Sequence, residues 1–466
     1  MLGIDARYSQ FIAGKLSAAA PSGIDVPDCW RAPALFGFQS DLARWALRRG
    51  RAAIFADTGL GKSRMQLTWA HVLHQREGLD VLILAPLAVA AQTQREADSI
   101  GIDVALCRED SDVRPGLNIT NYDRLHKFDT ARFGAVVLDE SSIIKHHDAK
   151  TLGMLLDAFR STPYRLCATA TPAPNDWAEL GTHAEFLGIC TRTEMLAEFF
   201  VHDGGDTQTW RLKGHARAEF WRWVSSWGAL IRKPSDLGYD DAAYALPAMH
   251  VHQHIVETRA ETAGMLFALE AQTLMERRDA RRASLAQRVS ACAAIVNADR
   301  QPWIVWCDLN AEGDALRAAI PDAVEIRGSD DADTKERRLI DFAEGRIRVL
   351  VSKPSICGFG LNWQHCARMA FVGVTDSFEA YYQALRRCWR FGQKREVHVH
   401  VFASELEGAV TANLARKERD AIAMSEAMSA ETHDAVMAAV RGTDRQSNPY
   451  NPAQRIQLPP FIKRAA

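Results

Sequence analysis

A chain of 466 residues with 47% hydrophobic and 24% charged side chains has room for roughly two to four domains, each with its own core. A net charge of −2 excludes a uniformly basic coat, so any nucleic-acid surface has to be local. No apolar run reaches membrane-spanning length, and the nine cysteines never form a Cys-x-x-Cys pair; together these exclude a membrane span and the usual zinc and iron–sulfur spacings, and point to a reducing cytoplasm.

Residues 1–34, with Pro21, Gly23, Pro27 and Pro33, lack periodicity and read as an N-terminal extension. From 35 to 189 short β-rich runs at 52–55, 81–85, 118–120, 135–138 and 165–168 alternate with helical stretches, which implies crossover connections and a largely parallel sheet. Residues 190–297 break that rhythm: Trp210, Trp221, Trp223 and Trp227 cluster there, better suited to packing than to base stacking, and 258–297 reads as a long helical segment. Alternation returns over 298–405, with strands expected at 303–306, 324–326, 349–352, 368–372 and 397–401. Residues 406–466 read as a helical segment and a basic tail. The predicted class is α/β, with two parallel-sheet domains in tandem and a helical insert between them.

The stretch Ala56-Asp57-Thr58-Gly59-Leu60-Gly61-Lys62-Ser63 lies between an apolar strand and a helical segment. Glycines delivered to a helix N-terminus leave backbone N–H groups converging on one point, where they can hold phosphate oxygens. Lys62 would reach the β- and γ-phosphates of ATP, and the Ser63 hydroxyl would ligate Mg²⁺. Ala56 stands where the usual pattern has its first glycine. Downstream, the apolar run 136–138 ends in Asp139 and Glu140; the first would hold Mg²⁺ and the second would polarise the attacking water. His146-His147 is a poor metal pair, because adjacent side chains on a helix diverge.

From about residue 35 to 402 these motifs resemble the Swi/Snf-type branch of superfamily 2 helicases and translocases. The resemblance implies two RecA-like lobes, with Phe38-Gln39 as the adenine-reading element. Pro86 through Gln92, and Thr120-Asn121 within 119–122, resemble nucleic-acid-contacting motifs. Ser141 and Ser142 replace the alanine and histidine that usually follow Asp-Glu, and Thr169-Ala170-Thr171-Pro172 with Asn175, Glu179 and Leu180 resembles the motif that links the phosphate site to the second lobe. In the second half, Gly358-Phe359-Gly360-Leu361-Asn362 resembles the fifth motif, with Gly360 toward nucleotide and Asn362 toward nucleic acid. Residues 383–393 resemble the sixth; Arg387 and Arg390, three apart on a helix, share a face and would act as arginine fingers on the γ-phosphate.

The implied activity is ATP-driven movement on DNA through non-specific backbone contacts, with strand separation as an added capacity. Alternatives are translocation along duplex DNA without unwinding, an RNA-directed helicase, and an ATP-gated binding module. The expected protein is a cytoplasmic monomer without membrane attachment, taking any specificity from protein partners.

Overall fold

A computed structural model describes residues 19–145, 150–173, 176–203, 206–257, 281–357, 362–373 and 378–404, with residues 426, 429, 430, 432–434, 436–438 and 440. The apolar runs of the first half become Arg51–Ala56 (β1), Val81–Ala85 (β2), Val104–Leu106 (β3), Leu117–Asn121 (β4), Ala135–Asp139 (β5) and Tyr164–Thr169 (β6). A short antiparallel hairpin, Phe200–Asp203 (β7) with Asp206–Leu212 (β8), stands apart, and Gly228–Ile231 (β9) returns to the first sheet. Its seven strands run in the order β3-β4-β2-β5-β6-β1-β9, all parallel. Every residue of β2 and β5 is buried, as expected where helices cover both faces of a parallel sheet and the strands carry continuous apolar runs.

The second sheet comprises Met249–Val256 (β10), Trp303–Trp306 (β11), Ala323–Ile326 (β12), Val349–Ser352 (β13), Arg368–Phe371 (β14) and Val397–Ser404 (β15). Its order is β10-β15-β14-β11-β13-β12, again all parallel. The molecule is thus an α/β protein of two RecA-like lobes. In the second, the fully buried pair Arg288–Glu312, 2.7 Å apart, ties the helix Leu285–Ala298 to the helix Asn310–Ala319.

Besides the β7–β8 hairpin, one strand of each large sheet, β9 and β10, lies within the span 190–297, where the sequence places an insert. Gly228–Ile231 has only four residues and no alternation, too little signal to read as a strand alone, and it is fixed by pairing with β1. The run Met249–Val256 places histidine at every second position, between Met249, Val251, Gln253 and Ile255, and lies at a sheet edge with both faces partly open. Trp221, Trp223 and Trp227 are buried beside Phe199, Phe200 and Phe220, as packing rather than stacking platforms. The described part of the extension also has a place: backbone N–H groups of Ser22, Gly23 and Ile24 donate to the last carbonyls of the helix Gly37–Arg49, at 3.0 to 3.1 Å. Val436 and Val440 pack into the core of the first lobe, so the chain crosses back after β15. Of the long segment expected over 258–297, the helix Leu285–Ala298 is described; His146, His147, Asn175, Gly360 and residues 258–280 lie outside the described residues.

Candidate nucleotide site

Three adjacent strands, β5, β6 and β1, bring their C-terminal ends together, which is where an open parallel sheet builds its sites. β1 leads into the glycine loop, and the helix Lys62–Glu77 starts there with Gly61 as its N-cap. Gly59 and Gly61 take φ of +92° and +80°, left-handed values that glycine adopts without a steric penalty. A Cβ on Gly61 would also lie 2.3 Å from Gln39 Nε2. Gln39 is held by donating to Leu60 O at 2.9 Å and accepting from Phe36 N at 3.0 Å, so its amide is fixed beside the loop.

Asp139 closes β5, and Glu140 follows with φ of 55°. The Asp139 carboxylate accepts from Gln66 Nε2 at 2.9 Å, its backbone carbonyl from Tyr122 OH at 2.7 Å. Burial pushes its carboxyl up to about 6, with the Gln66 bond opposing. Glu140 Oε1 accepts from Thr169 Oγ1 at 2.8 Å and from Ser142 Oγ at 3.1 Å. Ser141, where the family's alanine would stand, contacts the buried His183 Nε2 at 3.1 Å.

The opposite wall comes from the second lobe. Residues Thr58, Gly59, Gly61, Lys62, Ser63, Gln39, Asp139 and Glu140 from one lobe, with Arg387, Arg390, Asn362 and Phe391 from the other, line one cleft of about 330 Å³. A hydrogen-bonded path crosses it: Thr171 N donates to Thr169 Oγ1 at 3.1 Å, Gln383 Nε2 to Thr171 Oγ1 at 3.3 Å, and Arg387 Nη2 to Gln383 Oε1 at 2.9 Å. Glu140 and Arg387 are therefore joined through two threonines and a buried glutamine.

The cleft is charged for a polyanion. Burial lowers Lys62 to about 8 against the pull of Glu140, Asp57 and Asp139. Burial and the neighbouring Arg390 lower Arg387 to about 9, and burial lowers Arg390 to about 10. Three desolvated cations around one space favour an anionic ligand that compensates their lost hydration, as a triphosphate would. Lys62 Nζ donates to Ala56 O at 2.8 Å and would turn from there toward a phosphate. The donor set fits a hard cation as well: the Ser63 hydroxyl and the Asp139 carboxylate are the oxygens that would hold Mg²⁺.

Residues 38–200 match the family model of the SNF2-related domain. This part of the chain is an SNF2-related domain. The chain is also 24% identical to protein p41 of Acyrthosiphon pisum secondary endosymbiont phage 1, over 75% of this chain and 88% of that protein. The family match covers β1 to β6 with both carboxylates, whereas the arginines of the second lobe lie beyond it and complete the cleft of the SNF2-related domain from outside. Among the described residues no helix is long and apolar enough to cross a membrane.

The residues expected at nucleic acid are placed apart from the phosphate loop, except Asn362, which lines both the cleft and the seam between lobes. Gln92 and Arg95 line that seam with Glu336 and Trp363. Pro86 caps the helix Leu87–Ser99. Thr120 and Asn121 are buried, and the Asn121 side chain accepts from Arg124 N at 3.1 Å, capping the next turn. Sequence reasoning missed Gln66 and Tyr244, and it placed Gln383 in the sixth motif without giving it a role. Gln66 sits one turn from Lys62, a usable signal; nothing around Tyr244 marks it, yet it lines the cleft and stacks on Phe391 at 4.5 Å.

Proposed function

We propose that this protein is a nucleic-acid-dependent ATPase that moves along DNA. The observation that carries the reading is the two-sided cleft, in which the carboxylates of the SNF2-related domain face Arg387 and Arg390 of the second lobe. The phosphate loop and Lys62 bind the triphosphate, Gln39 selects the base, and Glu140 orients and polarises the attacking water. Mg²⁺, held by Ser63 and Asp139, would neutralise charge between the β- and γ-phosphates. Arg387 and Arg390 stabilise the charge that develops on the transferred group, and this requires the lobes to be closed. Closing and opening with each turnover steps the two lobes along a strand gripped through its phosphates, without sequence preference.

The SNF2-related domain favours a translocase on DNA over an RNA enzyme, with strand separation as a further capacity rather than a requirement. The discriminating experiment measures ATP turnover alone and with single-stranded DNA, duplex DNA and RNA at low and high salt. Strong stimulation by DNA is expected, and stimulation by duplex alone would favour translocation without unwinding. Equal rates with all polymers and with none would overturn the motor and leave an ATP-gated binding module.

A further inference from the structure

The second lobe also grips the phosphate loop outside the cleft. Arg386 Nη2 lies 2.8 Å from Asp57 Oδ2 and donates to Thr58 O at 3.1 Å, and Tyr382 OH donates to Asp57 Oδ1 at 3.0 Å. Arg386 is only 5% exposed, against 26% for the Asp57 side chain, so it is above all the arginine's charge that would be costly without its partner. Although burial works to raise it, the Asp57 carboxyl stays below its ordinary range, chiefly through Arg386. Five residues on, the backbones touch: a Cβ on Gly59 would lie 2.9 Å from Phe391 N. Arg386 and Phe391 bracket Arg387 and Arg390, so the segment carrying both cleft arginines is pinned to the loop at each end. Arg386 itself does not line the cleft, and its guanidinium is committed to Asp57 and the Thr58 carbonyl.

We propose that Arg386 is a positioning residue. Its pair with Asp57, joined by Tyr382, latches the second lobe onto the phosphate loop before nucleotide arrives and aims Arg387 and Arg390 into the cleft. The kinetic consequence rests on the ATPase reading above; the structural consequence does not. Occupancy of the loop and closure of the lobes thereby become one event, since the loop that holds the phosphates also holds the finger segment.

The test uses the full chain with Arg386→Ala, Asp57→Ala, the double variant, and Asp57→Asn, which removes the charge at nearly constant volume. Small-angle scattering without nucleotide reads lobe separation, thermal melts monitor folding, and ATP turnover supplies kcat and KM. Each single variant is expected to enlarge the radius of gyration and to lower kcat by about 10- to 100-fold, with KM changed less than about threefold. The double variant should lose no more than the worse single variant, because one interaction is removed in every case. Arg386→Lys, which keeps the charge, should recover part of kcat. Losses that multiply in the double variant, or an unchanged radius of gyration in folded single variants, would overturn the latch. If the wild-type chain turned over no ATP, the functional reading would fall, while scattering would still decide the latch.

Discussion

Glu140 is the one non-glycine residue with positive φ among the described residues, at 55°. A left-handed backbone costs an ordinary residue roughly 1–2 kcal/mol, so the neighbours that hold it there matter. Thr169 and Ser142 both donate to the same carboxylate oxygen and fix its direction. Thr169→Val preserves shape and removes the stronger of these bonds; turnover should fall about tenfold or more while affinity for a non-hydrolysable ATP analogue is retained. Unchanged turnover would show that the hydroxyl does not orient Glu140. Glu140→Gln should abolish turnover and leave analogue binding intact, as checked by single-turnover hydrolysis and a binding titration. For Arg387→Ala the expected loss is about 10³-fold in kcat, the scale for a charge acting on the transition state; a two- or threefold loss would make the residue structural.

At the scale of elements, the edge strand β10 lies along β15 in register, His250 opposite His398 and His252 opposite His400. The rings stack, with His252 and His398 centroids 5.3 Å apart and their planes nearly parallel, and His254 Nε2 lies 2.9 Å from His400 Nδ1. An imidazole pair shares such a contact when one nitrogen donates and the other accepts; two charged rings both donate and repel. Glu396 faces His250 at 3.1 Å, whereas Arg368 adds positive charge near His398 and His400. Burial and the neighbouring imidazoles lower His254 and, with Arg368 adding to them, His398, and bring His400 to about 4. Unfolded histidines titrate near about 6.5, so between there and about 4 the unfolded chain binds more protons, and stability falls as pH falls through that window. The urea midpoint should therefore drop between pH 7 and pH 5, and drop less in His252→Gln and His400→Gln. Equal pH dependence in all three proteins would remove the ladder as the cause. Among the described residues, no group of three or more His, Cys, Asp or Glu side chains is placed to hold a metal.

For the whole molecule, contacts between lobes differ in weight according to their exposure. Arg108 and Asp333 meet across the seam at 3.2 Å, but with side chains 60% and 72% exposed they contribute little. The Asp57–Arg386 pair, with Arg386 buried and Asp57 half-buried, and the threonine–glutamine path are better shielded contacts between the lobes. A motor that grips phosphates should bind its track without sequence preference and lose affinity by about 10³-fold between 50 and 200 mM salt if it neutralises about six phosphates. Titrating DNA-stimulated turnover at several salt concentrations, with duplexes of scrambled sequence, checks both; a flat salt response or a strong preference for one sequence would contradict backbone gripping.

The sequence by itself determined the parallel α/β class and picked out several residues that line the cleft, because buried parallel strands are continuous apolar runs and the loop chemistry is local. The runs 81–85 and 135–138 read as strands from composition alone, and Lys62, Ser63, Asp139 and Glu140 lie within a few residues of the turns that present them. Only the tertiary structure decided what depends on distant partners. Gly228–Ile231 is a strand because β1 is beside it, and residues 22–24 are ordered because a helix end supplies acceptors. Asp57 lies 329 positions before Arg386 in the chain, and no periodicity encodes a meeting across that separation. That ion pair exists because the two lobes, each built on its own sheet, meet at the phosphate loop.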